Sequence, residues 1–262
     1  MQRYKNKRGL KKKRFFIMIF ILIIFIFLFF KGVDYIKEKV SSSSDVEDIN
    51  FENSKQEDEE VIVDNGITIA IDPGHGGRDP GKIGINEAME KDINLSIAMK
   101  LKEQLVRGGY RVVMTREEDI SLSSEGDGHK QLADLKKRVD IVNNSNAKLA
   151  ISIHQNSFTQ EDCKGAQVFY YGGSQNSEPL AHIMQEQIKS NLQKDNKRKA
   201  QAENSYYMLK NTYGTIIIIE CGFLSNNEEA NLLTQDNYQE NMAEAIYLGI
   251  ETYIHSPNGK LE

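Results

Sequence analysis

Cysteine is nearly absent from the 262-residue chain, which has only Cys163 and Cys221. One pair cannot form a disulfide framework, and a domain of this size needs no staple. Two free, largely buried thiols are expected. Acidic residues are missing from the first 33 positions, which hold nine of the 33 Lys and Arg. The rest of the chain lacks a basic surplus, with 24 basic residues against 38 acidic ones. An acidic globular part excludes nucleic acid as the partner, because phosphate binding needs a positive surface. The sequence contains no internal repeat and no H-E-x-x-H motif that would place metal ligands on one helix.

What is present begins with a hydrophobic run. Phe15 to Phe30 is unbroken apolar sequence, and it extends to Val33 if Lys31 snorkels. The 19 residues of 15–33 reach about 28 Å as a helix, close to the thickness of a hydrocarbon core. A cleaved signal peptide also starts basic, but this run exceeds a usual h-region and no A-x-A site follows. A transmembrane signal anchor over 15–33 is therefore expected. Its basic arm (1–14) should stay in the cytoplasm and the remainder should be exported. Residues 34–64 read as a flexible acidic and serine-rich tether, with Ser41–Ser44 and eight acids against one Lys between 41 and 60.

A single domain is expected over 65–256, followed by a tail (257–262). Ile67–Asp72 is a short buried-strand run closed by Pro73-Gly74. Asp92 can cap a helix with Ile93, Ile97, Leu101 and Leu105 on one face, stopped by Gly108-Gly109. Tyr110–Thr115 reads as a strand, 117–131 as a polar loop, and Leu132, Leu135, Val139 and Val142 as a second helical stripe. Strands at Leu149–Ile153, Gly165–Tyr171 and Thr215–Ile219, with helices at Pro179–Leu192, 227–234 and 237–254, complete the pattern. The alternation predicts an α/β domain with a twisted, mostly parallel sheet flanked by helices on both faces.

Ligands of open α/β sheets sit beyond the carboxyl ends of the strands. Four groups fall there or in a loop leading from there: His75, Glu90, His154 and Glu220. Two imidazoles and a carboxylate make a common catalytic zinc shell, and a further glutamate can move the proton that amide hydrolysis requires. Spacing alone leaves this reading level with the bland one, in which these are satisfied polar residues in loops. His129 reads as a solvated loop residue. His182 and His255 have no acidic or histidine neighbour at ligand spacing and are set aside.

The residues then resemble a known family. Ile69–Gly81 (IAIDPGHGGRDPG), Glu90–Leu95 (EKDINL) and Arg111–Arg116 (RVVMTR) are similar to zinc-dependent N-acetylmuramoyl-L-alanine amidases of the amidase-3 type. So are Ile151–Ser157 (ISIHQNS), Leu209–Thr212 (LKNT) and Ile219–Glu229 (IECGFLSNNEE). The resemblance covers about 67 to 254 in six ordered blocks. It implies zinc held by His75, Glu90 and His154, with Glu220 as the catalytic carboxylate. Glu87 competes as ligand, and the family's Glu-Lys…Asn pattern favours Glu90. A lone catalytic domain behind a membrane segment looks like the CwlD-type germination-specific amidases of spore formers. That group acts in the spore cortex, where peptide removal prepares muramic acid for conversion to its lactam. The implied partner is peptidoglycan, cleaved between N-acetylmuramic acid and L-alanine outside the cytoplasm, with the forespore intermembrane space as the compartment. Another zinc wall hydrolase (a carboxypeptidase or deacetylase) and a non-catalytic wall-binding regulator are the alternatives. Control by an activating partner protein is a further expectation, since ligands on separate loops lack rigidity; anchoring and expression timing are its rival.

Overall fold

The computed structural model describes residues 64–259. The expected cytoplasmic arm, membrane span, tether up to residue 63 and tail beyond Gly259 lie outside the described residues. Among the described residues no helix is long and apolar enough to cross a membrane.

In chain order the elements are β1 (Thr68–Pro73), α1 (Glu90–Arg107), β2 (Arg111–Met114), α2 (Lys130–Asn144), β3 (Leu149–Asn156) and β4 (Gln167–Tyr170). Then come α3 (Ser177–Asn191), β5 (Gln201–Ala202), α4 (Tyr207–Asn211), β6 (Thr215–Phe223), α5 (Asn227–Leu233), α6 (Asp236–Ile254) and a 3₁₀ turn at Pro257–Gly259. The six strands form one sheet in the order β2-β1-β3-β6-β4-β5. β2, β1, β3 and β6 are parallel neighbours. β4 runs antiparallel to β6. The reason lies in the connection: only 157–166 separate β3 from β4, and a parallel return needs a crossover of about a dozen or more residues.

Side chains alternate between the two faces of each strand, and the two faces are covered unequally. Ile69, Ile71, Ile151, Ile153, Ile217 and Ile219 pack in one cluster with the apolar stripes of α1, α3 and α6. Within α1 that stripe is Ile93, Ile97, Leu101 and Leu105, spaced four apart and buried. The opposite face carries Ala70, Ala150, Ile216 and Ile218 under only two helices, α2 and the five-residue α4, through Val139, Val142, Met208 and Leu209. Helices therefore flank both faces. Several boundaries differ from the periodicity reading. α1 begins at Glu90, so Asp92 lies inside the first turn, where its charge still favours the helix dipole. Leu132 is exposed rather than part of the α2 stripe. β6 runs on to Phe223 with every residue buried, so Glu220 lies within the strand rather than at its end. Asp64, assigned to the tether, pairs with Arg111 at 2.5 Å. Cys221 is buried, but Cys163 is only half-buried, because it sits in the short turn before β4.

On the thinner face a buried charge takes a core position. Arg138 projects from α2 and pairs with Asp72 at 2.8 Å and Asp134 at 2.5 Å. Thr115 and Ser152 donate to Asp72, each at 2.7 Å. Burial alone would raise the Asp72 carboxyl, but the Arg138 guanidinium and the two hydroxyls outweigh it and hold it below its ordinary value. A depressed carboxyl stabilises the fold fully above its unfolded value near 3.8, and that contribution is lost as the pH falls through the lower, folded value. Asp72→Asn is expected to cost about 3–5 kcal/mol near neutral pH, because one partner of a buried pair is removed. The acid limb of its stability profile should also flatten. Urea unfolding midpoints from pH 7 downward check both.

Candidate metal centre and active site

β1, β3 and β6 end on the same edge of the sheet, and the site is built where they stop. Register pairs Asp72 with Ser152 and His154 with Glu220, so these side chains share the thinly covered face. A register shift between His154 and Asn156 breaks the ladder at this edge. His75 sits in the turn after β1, and Glu90 is the first residue of α1. The chain after β1 passes hard against His154. A Cβ on Gly74 would meet His154 ring atoms at 2.1 to 2.6 Å, so only glycine permits the approach.

Three of the four sequence candidates are brought together. His75 Nε2 lies 3.2 Å from Glu90 Oε1, and His154 Nδ1 lies 3.0 Å from the same oxygen. One donor atom from each residue falls within 4.8 Å of the others, in an arrangement able to hold a metal ion. Glu87 and His129 are not in this group. Glu90 is buried, and the Lys82 and Gln155 amides donate to its two oxygens at 2.8 and 3.1 Å. Its carboxyl lies well below the usual range, because hydrogen bonds from His154 and His75 outweigh the cost of burial. Burial works against a charge on His75, yet Glu90 and Asp79 raise the imidazole to about 9. The point between these groups thus favours positive charge, and the donor set of two nitrogens and one oxygen matches zinc.

Glu220 stands apart from that cluster. It is buried, and burial pushes its carboxyl up to about 7 against the pull of His154. Its Oε2 has no hydrogen-bond partner among the described residues. A buried carboxylate oxygen without a partner is costly unless something else reaches it. Near it the Tyr206 phenol is pushed up to about 12 by burial and by Glu220, so it remains a hydrogen-bond donor. A cleft of about 740 Å³ opens over His75 and His154. The long polar loop before α2 has a place here: Ile120, Ser121 and Ser124 line the cleft together with Arg78 and Pro80. Lys91 and the Gly77 amide tie the loop down through Asp119.

His182 and His255 do have acidic neighbours one helical turn away, at 3.9 Å (Glu178) and 3.6 Å (Glu251). Each histidine meets a single acid, and neither belongs to a group able to hold a metal among the described residues. Sequence reasoning missed Asp79, which accepts from His75 Nδ1 at 2.8 Å and so fixes which ring nitrogen faces Glu90. Its position four residues after His75 was the available signal. Carboxylates behind metal-binding imidazoles typically set affinity. Asp79→Asn should weaken metal binding at this cluster about 10–100-fold in chelator competition.

Residues 69–252 match the amidase-3 family, N-acetylmuramoyl-L-alanine amidase. The chain belongs to the amidase-3 family. The germination-specific N-acetylmuramoyl-L-alanine amidase of Bacillus subtilis is 39% identical over 193 residues, covering 72% of this chain and 81% of the relative. Among solved structures, the CwlD amidase from Clostridioides difficile in complex with the GerS lipoprotein superposes with a TM-score of 0.70. It is 43% identical over 72% of this chain and 98% of that one. AmiC2 of Nostoc punctiforme gives a TM-score of 0.64 at 30% identity, over 74% and 99% of the two chains. This amidase is thus a peptidoglycan hydrolase, acting on the amide between N-acetylmuramic acid and L-alanine, and it is close to the germination-specific members.

Proposed function

We propose that the amidase works with one zinc ion held by His75 Nε2, Glu90 and His154 Nδ1, and that Glu220 moves the proton. The observation that carries this reading is the convergence of those three donors, together with a buried carboxylate, Glu220, whose Oε2 has no partner among the described residues. Bound zinc supplies Lewis acidity toward water and the scissile carbonyl. Glu220, with a carboxyl near neutral, accepts a proton from the attacking water and delivers it to the departing alanine nitrogen. The C–N bond breaks, leaving the lactyl carboxyl of muramic acid and a free peptide amine. The open cleft over His75 and His154 gives a polymer strand room to lie across the reacting centre.

The reading extends to place. The apolar run at 15–33 with its basic flank supports a single-pass anchor and an extracytoplasmic domain, outside the cytoplasm or in the forespore intermembrane space. Likeness to the germination-specific relative supports a role in spore cortex maturation, through stem removal ahead of lactam formation. A partner protein is supported by the relative whose structure is of a complex with a lipoprotein. The ligands are less loosely held than their loop positions in the sequence suggested, because His154 lies in a strand and Glu90 opens a helix.

Incubating the protein and zinc with purified muropeptides, followed by mass spectrometry, tests the reaction. Intact stem peptides beginning with L-alanine are expected. Release of a terminal amino acid or of acetate would instead indicate a carboxypeptidase or a deacetylase.

A further inference from the structure

Arg116 carries a buried positive charge that no carboxylate among the described residues meets directly. It is 3% exposed, and the acids around it are engaged elsewhere: Asp72 and Asp134 with Arg138, and Asp119 with Lys91. Its donors go to main-chain carbonyls instead. Nε donates to Pro73 O at 3.0 Å, Nη2 to Gly74 O at 3.0 Å and Lys91 O at 2.8 Å, and Nη1 to Glu118 O at 3.1 Å. Two of these carbonyls immediately precede His75, and a third immediately follows Glu90. One planar side chain thus spans the two segments that carry two of the three clustered donors.

The turn it grips needs holding. His75 has φ +61°, a left-handed backbone that is strained for a residue with a Cβ. Such conformations persist only when the surroundings over-determine them. The turn also wraps closely around the guanidinium: a Cβ on Gly76 would lie 2.9 Å from Arg116 Nε and 2.4 Å from Ile120 O. Arg138 shares Pro73 O and also reaches His75 O, but its two ion pairs make it part of the sheet's own scaffold. Arg116 has no such second duty.

We propose that Arg116 is a positioning residue for the metal site, whose guanidinium fixes the His75 turn against the start of α1 before the metal arrives. The inference rests on the zinc site proposed above. A lysine cannot substitute, because a single ammonium does not present the flat fork that reaches several carbonyls in one plane.

The test compares full-length wild-type and Arg116→Lys proteins in two measurements, zinc Kd by chelator competition and thermal unfolding of the metal-free form. Arg116→Lys should bind zinc about 10–100-fold more weakly and regain turnover at saturating zinc. A lower unfolding temperature with an unchanged Kd in the folded protein would reduce Arg116 to a structural residue and overturn the proposal. Should the variant not fold, hydrogen exchange on metal-free wild-type protein decides instead. The amides of Gly74, Gly76 and Gly77 should exchange as slowly as those at the ends of β1, and exchange at free-loop rates would overturn it. Wild-type protein that bound no zinc would overturn the site and this inference together, whereas equal Kd values in the two proteins would overturn the inference alone.

Discussion

Glu220→Gln is expected to keep zinc and lose about 10²–10⁴-fold in hydrolysis, the range for removing a general base. The side chain keeps its shape, and Glu220 is not among the three clustered donors, so the metal should stay. What disappears is the ability to take a proton and hand it on. The fold should tolerate the change. Burial already pushes this carboxyl toward its neutral form, and a neutral amide avoids the cost of a buried charge. Turnover, zinc content and unfolding temperature measured together check the prediction. Near-normal turnover would demote Glu220 to a structural role.

His75→Ala and His154→Ala should each strip the metal and abolish activity, while His129→Ala should do neither. A catalytic zinc keeps three protein ligands and one open position, and two remaining donors do not hold it against competing chelators. At position 75 the backbone gives a second control. Asparagine tolerates the left-handed conformation that His75 adopts, so His75→Asn should fold as well as wild type and still lose zinc. Metal analysis after dialysis separates these outcomes, and full zinc retention in both alanine variants would sink the assignment.

The elements that sequence reasoning found were those with long, unambiguous signals. The isoleucine run of β6 and the four-residue spacing of α1 announce a buried strand and an amphipathic helix without help from tertiary context. β5 has two residues and α4 five, too few for any period to show. The antiparallel β4 was legible in principle, since 157–166 contains no helical pattern, yet the alternation predicted only a mostly parallel sheet and did not single out the strand that departs from it. The four site residues were visible as candidates because they sit near the carboxyl ends of strands or in a loop leading from one. Their separation into a cluster of three and one apart required either the family motifs or the coordinates. The supporting shell was hidden for a different reason. Arg116, Arg138 and Asp79 look like ordinary surface charges in a sequence, and only the packing reveals that two are buried and that the third orients an imidazole.

Zinc K-edge X-ray absorption of the zinc-loaded protein tests the central claim most directly, because it reads the atoms around the metal without reference to activity. The account predicts a shell of nitrogen and oxygen at about 2.0–2.2 Å, with the outer-shell scattering of two imidazoles and without sulfur. Loss of one imidazole signal in each of His75→Ala and His154→Ala, at whatever occupancy remains, would fit it. A shell containing sulfur at about 2.3 Å, drawing on Cys163 or Cys221, would contradict it.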